Sequence, residues 1–266
     1  MKLGIIGNGM VGKAVENGFS ANTILISDPT MKRGMSIETI CKQTPDMIFV
    51  CVPTPIKHAK FDATIIDQVM ETINSSYDGI VIIKSTVPPD IIEKLADSHA
   101  NIKIAHNPEF LSDKTAMEDF INPSLIVIGC DDNNTALAIN DLYLNHSNIS
   151  CSHEIIHNTD LVTASLIKYG FNTFYATKVT FMNELYNIIH KSNTDFKWDE
   201  FKKIYGANQW IGKKHLDVPG HDGYFGFGGK CLPKDTKAFV EYASSINQPF
   251  ELLEKVIELN ENLRNE

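Results

Sequence analysis

Apolar residues come first in short unbroken runs and later at helical spacing. Lys2-Leu3-Gly4-Ile5-Ile6, Thr23-Ile24-Leu25-Ile26-Ser27, Asp46-Met47-Ile48-Phe49-Val50-Cys51-Val52 and Gly79-Ile80-Val81-Ile82-Ile83 have the near-continuous hydrophobicity of strands buried on both faces. Residues 101–105 and 124–129 add two more runs. Helical stretches, among them 13–19 and 65–73, alternate with these runs, which predicts a doubly wound parallel sheet. After about residue 150 the strand patterns vanish. Leu161, Ala164, Leu166, Ile167, Phe171, Phe174, Val179, Met182, Leu185 and Ile189 then recur at helical spacing and predict one long helix over 159–191. Shorter helices are expected over 199–204, 236–245 and 250–263. The expected architecture is therefore α/β, with a sheet domain over 1–155 and an all-helical domain over 156–266 joined by the long helix.

The first strand runs straight into Gly7-Asn8-Gly9-Met10-Val11-Gly12 and then into helix. G-x-G-x-x-G alone is a weak signal. In a strand–turn–helix setting its glycines give the tight turn, the close backbone approach to a pyrophosphate, and helix–strand packing. The second strand ends at Asp28, about 20 residues on, where an acid grips the adenosine ribose hydroxyls. The competing reading is a structural turn plus an unrelated surface acid. The combination favours a Rossmann-like domain that binds NAD, with Lys32 and Arg33 close enough to temper the preference over NADP.

Two loops leave the carboxyl ends of later strands, the edge where open parallel sheets bind ligands. They are Lys84-Ser85-Thr86-Val87-Pro88-Pro89 and His106-Asn107-Pro108-Glu109-Phe110-Leu111. Glu109 is a candidate general base, although most loop glutamates are simply solvated. Lys168 and Asn172 stand four apart on one face of the long helix. On local grounds the plainer reading is a snorkelling lysine and a surface amide.

Gly226-Phe227-Gly228-Gly229-Lys230-Cys231-Leu232-Pro233-Lys234-Asp235 sets one cysteine just before a proline suited to opening a helix. A helix N-terminus and two flanking lysines lower a thiol pKa. Cys231 is thus either an activated nucleophile or a small cysteine behind a tight turn, and its local context does not choose. His221, beside Asp222 and Gly223, reads as a turn residue, and Cys51 as core.

Composition narrows the function classes. In 266 residues, 43% are hydrophobic and 21% charged, as in ordinary globular proteins, and the net charge is -9. That excess of acid argues against nucleic-acid or membrane-surface binding, while leaving room for a local anion site. The five cysteines are scattered with no C-x-x-C pair, so neither a disulfide framework nor a metal site is expected. A strand beginning at Lys2 leaves no room for a signal peptide, and no apolar run is long enough to span a membrane. A cytoplasmic location is expected.

Taken in order, the glycine turn, Lys84-Ser85-Thr86-Val87-Pro88, Asn107-Pro108-Glu109-Phe110-Leu111, Ile167-Lys168…Asn172…Asn183-Glu184 and the cysteine loop resemble the UDP-glucose/GDP-mannose dehydrogenase family. The resemblance covers nearly the whole chain and implies a four-electron oxidation of a nucleotide sugar, UDP-glucose to UDP-glucuronate in the first instance, with two NAD used in turn. It implies that Cys231 carries the thiohemiacetal and thioester, that Glu109 serves hydrolysis, and that Lys168, Asn172 and Asp235 hold a water or stabilise the alkoxide. It places Met10, Val11, Arg33, Thr54, Ser85, Thr86 and Lys234 at the cofactor, with Gly7, Gly9, Gly12 and Asp28. Phe110, Leu111, Phe227 and Gly228 fall at the sugar. A homodimer through the long helix is expected, with no nucleic-acid or membrane partner. Ser165 stands where the family usually has Glu, Lys114 where it has Gly, and Trp210 where an Arg precedes Ile-Gly and reaches a neighbour's site. The loop from Trp210 to Cys231 is longer than usual. Residues 251–261 resemble the helix that leads into a further nucleotide-gripping domain, which the resemblance leaves this chain without. Two other readings compete: a two-electron 3-hydroxyacid-type dehydrogenase, which needs no cysteine, and a non-catalytic NAD-binding relative.

Overall fold

The computed structural model describes residues 1–32, 34–57, 60–192 and 195–265. These form two compact units, the first made of Met1–Lys57 and Phe61–Lys168, the second mainly of the chain after Lys168.

The first unit is built on a seven-stranded sheet: β1 (Lys2–Ile6), β2 (Thr23–Ser27), β3 (Met47–Val50), β4 (Ile80–Ile83), β5 (Lys103–His106), β6 (Ile126–Gly129) and β7 (Ile156–Thr159). Their order is β2-β1-β3-β4-β5-β6-β7. Helices α1 (Met10–Gly18), α2 (Ile37–Lys42), α3 (Thr64–Asn74), α4 (Pro89–Ser98), α5 (Ala116–Ile121) and α6 (Asn133–Asn145) connect them. Side chains alternate across each strand, so one run feeds two cores. Ile5, Phe49 and Ile82 are registered neighbours on one face and pack with Val15 of α1, Phe19 just after it, Phe120 of α5 and Leu142 of α6. Ile6, Val50 and Ile83 face the other way, onto Ile66 and Met70 of α3 and Ile92 of α4. Each such side chain contributes roughly 1.5–3 kcal/mol of burial, which is why strands apolar on both faces read so clearly.

Two details depart from the expectation of a wholly parallel sheet ending near residue 150. β6 runs antiparallel to β5, meeting it at His106 and Gly129. β7 lies at the edge, parallel to β6, and brings residues 156–159 into the first unit. Its sequence, Ile-His-Asn-Thr, is only half covered and so lacks the hydrophobic run that marks the inner strands.

The second unit holds most of α7 (Leu161–Lys191), then α8 (Trp198–Tyr205), α9 (Leu232–Ser245) and α10 (Glu251–Asn265). Ala176 and Val179 of α7 pack with Phe239 of α9 and Leu253 and Val256 of α10. Further along α7, Met182 and Tyr186 meet Trp198 and Phe201 of α8 and Leu216 and Val218 of the following loop. α9 starts a turn earlier than hydrophobic spacing suggests, with Pro233 in its first turn and Cys231 as its N-cap. Among the described residues, no helix is long and apolar enough to cross a membrane.

Candidate active site

The glycine turn separates packing demands from a ligand's demand. Gly7 has φ +89°, and a Cβ there would lie 2.6 Å from the Cys51 carbonyl oxygen. A Cβ on Gly12 would lie 2.1 Å from the Gly7 carbonyl oxygen. Both glycines are required by the protein's own backbone. Gly9, the N-cap of α1, is different: a Cβ there meets nothing within 4 Å. Its open face, over the amide-rich start of a nine-residue helix, fits a pyrophosphate. Met10 and Val11 form that helix's first turn.

Asp28 is tied to this turn. Its Oδ2 accepts from the Asn8 amide at 2.6 Å, and its Oδ1 from the Thr30 amide at 2.8 Å and hydroxyl at 2.5 Å. The Thr30 hydroxyl first, then these amides, hold the Asp28 carboxyl below its ordinary range, so it stays an acceptor for ribose hydroxyls. Thr54 donates to the Thr86 carbonyl at 3.0 Å and Ser85 to the Val52 carbonyl at 2.7 Å. The three polar residues expected at the cofactor thus brace the loops after β3 and β4 against each other. Arg33 lies outside the described residues.

Glu109 and Lys168 are brought together across 59 positions of sequence. Both are buried; Lys168 Nζ is 3.2 Å from Glu109 Oε1 and 5.5 Å from the centre of the Phe110 ring. The Leu111 amide donates to Glu109 Oε2 at 2.6 Å. Burial pushes the Glu109 carboxyl up, but Lys168 and the Leu111 amide outweigh it, and the group sits below its ordinary range. Ser165, fully buried one turn before Lys168, donates to the Val87 carbonyl at 2.6 Å and ties α7 to the loop after β4.

In the second unit, fully buried Asp235 organises the head of α9. Its Oδ2 accepts from Asn172 Nδ2 at 2.6 Å, its Oδ1 from Lys234 Nζ at 2.5 Å, and its amide donates to the Cys231 carbonyl at 2.8 Å. Cys231 itself is half-buried at the helix start. The other thiols differ. Burial pushes Cys41, Cys130 and Cys151 up and Cys51 up to about 12, leaving them as protonated packing groups. Among the described residues no group of side chains could hold a metal ion.

The glycine loop before Cys231 is held by its backbone. Asn260 Oδ1 accepts from the Phe227 amide at 2.6 Å while its Nδ2 donates to the Phe227 carbonyl at 3.0 Å, and Asn183 accepts from the Gly226 amide at 3.0 Å. Positive φ at Gly226 (+73°) and Gly229 (+77°) lets the chain make these turns.

The comparisons with known proteins agree along the chain. The UDP-glucose/GDP-mannose dehydrogenase family's NAD binding domain matches residues 25–147 and its central domain residues 162–262. The chain belongs to this family. The UDP-glucose 6-dehydrogenases TuaD and YwqF of Bacillus subtilis (strain 168) are 33% and 35% identical to it, each over 82% of this chain and over 47% and 49% of their own lengths. The chain thus spans about half the length of these curated relatives. A UDP-glucose dehydrogenase structure from Pyrobaculum islandicum shares the fold, with a TM-score of 0.83 at 24% identity over 98% of this chain and 68% of that one.

The remaining expected site residues take the following places in the structure. Phe227, expected at the sugar, is only 4% exposed and packs with Ala176, Leu253 and Val256. Its side chain serves the core, and only its backbone faces the loop's work. Lys234, expected at the cofactor, sets its ammonium on Asp235. At Gly228 a Cβ would lie 1.6 Å from Arg264 Nη2, so any larger residue there would displace the Arg264 guanidinium from its pair with Asp222. Trp210, in place of the usual Arg, is 96% exposed, on a stretch braced by Lys178 Nζ through the Ile211 and Lys214 carbonyls. His221 is an exposed turn residue, as its neighbours suggest. Asn260 escaped the sequence reading; its only signal was an amide at a core position of an amphipathic helix.

Proposed function

We propose that this protein oxidises the C6 alcohol of a nucleotide sugar to a carboxylate, UDP-glucose to UDP-glucuronate in the first instance, by way of a thioester on Cys231. The observation that carries the reading is Cys231 at the head of α9, one turn from an Asp235 carboxylate already engaged by Asn172 and Lys234. Glycine-turn geometry and Asp28 fit NAD, which, when bound, accepts the hydride lost from C6 in each of two steps. In the first step the hydroxyl proton leaves through a water ordered by Asp235. The Lys168 ammonium and the Asn172 amide stabilise the alkoxide as it forms. Cys231 Sγ then adds to the aldehyde carbon, giving a thiohemiacetal that cannot diffuse away while the cofactor is exchanged. Loss of the second hydride leaves a thioester. Glu109, ionised in its pair with Lys168, takes a proton from the water that attacks the thioester carbonyl, and the thiol returns as the acid departs.

The test is stoichiometry. Two NADH per UDP-glucose consumed, with UDP-glucuronate as product, is the expected result. One NADH per turnover would favour a two-electron dehydrogenase, and NAD-dependent thermal stabilisation without NADH from any UDP- or GDP-sugar would sink the enzymatic reading.

We infer a homodimer through α7. Phe174, Phe181 and Ile188 recur every seven residues and are 61%, 53% and 67% exposed, an apolar stripe two turns per step that a second copy of the helix would cover. Sedimentation is expected to give a dimer, and Phe181→Glu a monomer at the same micromolar concentration. A monomeric parent would refute this.

A further inference from the structure

Lys84 ends β4's run into the loop of residues 84–88, and it is almost wholly buried. Its Nζ donates to Asn107 Oδ1 at 3.0 Å, lies 3.5 Å from the Tyr143 hydroxyl, and sits 5.4 Å from the centre of the Phe120 ring. Tyr143 also donates to Asn107 Oδ1, at 2.5 Å, and Asn107 Nδ2 donates to the Val127 carbonyl at 2.6 Å. Every polar atom of the Asn107 side chain is thus engaged, two residues before Glu109.

Among the described residues no carboxylate lies within ion-pair distance of Lys84. A buried charge without a direct counter-ion costs several kcal/mol, and an apolar side chain of similar length would fit with less cost. The charge therefore calls for a use beyond packing. The groups that face it from each neighbouring element are Cys51 after β3, His106 at the end of β5, Tyr143 on α6, Glu109 on the loop after β5 and Lys168 on α7. Burial keeps the Cys51 thiol protonated and pushes His106 down to about 4, so both are neutral near pH 7. Glu109 and Lys168 remain as the charged pair within its reach.

We propose that Lys84 is a positioning residue for the oxidation inferred above: through Asn107 its ammonium fixes the loop that presents Glu109, and its charge helps keep that carboxylate ionised. The proposal rests on the reading of Glu109 as the hydrolytic base. Burial pushes Lys84 down to about 8, with the Glu109 carboxylate opposing that fall, so its charge is largely in place at neutral pH.

The decisive measurement needs neither sugar nor cofactor. In protein carrying carboxyl-¹³C glutamate, the Glu109 signal, assigned by its loss in Glu109→Gln, is titrated in the parent, Lys84→Met and Lys84→Arg. Glu109 is expected to protonate at higher pH in Lys84→Met, because a favourable positive charge is gone, and to stay near the parent in Lys84→Arg. In turnover, kcat for NADH formation is expected to fall roughly ten- to a hundredfold in Lys84→Met with KM for NAD unchanged. An unmoved Glu109 titration in folded Lys84→Met would overturn the proposal. So would failure of both Lys84→Met and Lys84→Gln to fold, which would assign the lysine to stability. If the parent oxidises no sugar, the reading of the function fails, and the titration still decides what Lys84 does to Glu109.

Discussion

Cys231→Ser is expected to cut uronate formation by roughly 10³-fold or more, with NADH yield falling to at most one per sugar bound. The physical case begins with the helix. Cys231 is the N-cap of α9, where the amides of the first turn carry partial positive charge and favour a thiolate. A serine hydroxyl placed there stays protonated near neutral pH and adds to an aldehyde weakly. In the proposed reaction the first hydride does not need the thiol, so the alcohol-to-aldehyde step is expected to survive the substitution and the covalent step to be lost. Rapid-quench measurement of NADH against acid separates the two. The expected result is a first-phase NADH signal without acid. Full acid yield in Cys231→Ser would remove the thioester from the mechanism. Alkylation offers a second readout: iodoacetamide is expected to inactivate by modifying Cys231 first, because burial keeps the other four thiols protonated.

How much of this was legible in the sequence follows from how local each feature is. Strands buried on both faces announce themselves as apolar runs, so β1 to β6 were readable, and the edge strand β7 was not. The glycine turn and Asp28 sit within one βαβ unit, where spacing alone carries the chemistry. Glu109 and Lys168 are far apart along the chain, and on local evidence each looked like a solvated side chain. Only the ordered motifs joined them, and the structure supplies the 3.2 Å contact. Lys84 lay inside a recognised motif, but nothing in its neighbours' identities says that a lysine there is buried against an asparagine and a tyrosine. Phe227 shows the reverse: a motif position expected at the sugar has a side chain that belongs to the core. Motifs locate a residue on the loop; the packing of that loop decides which atoms face the substrate.

Lys168→Met is expected to lose activity by roughly 10²–10³-fold, the scale of removing one preorganised donor from a developing oxyanion, and to invert the protein's response to acid. In the parent, the Glu109 carboxyl is held below its unfolded value of about 4.3. The pair's contribution to stability is therefore fully present above that value and is lost as pH falls through the lower folded one. Without Lys168, burial, the largest single influence, is opposed by the Leu111 amide and Lys84, and the Glu109 carboxyl is expected to rise above its unfolded value. The carboxylate is then a penalty at neutral pH that eases as pH falls toward about 4.3. Removing one partner of a buried pair costs roughly 3–5 kcal/mol at pH 7. For a protein of this size that corresponds to a fall in Tm on the order of 10 °C. Thermal melts between pH 4 and 8 are thus expected to show the difference between parent and variant narrowing toward acid. Adding Glu109→Gln to Lys168→Met is expected to recover most of the lost stability at pH 7 and none of the activity, which separates the pair's role in folding from its role in chemistry. A Lys168→Met protein as stable as the parent at pH 7, with the same acid response, would mean that Glu109 is not held by this lysine.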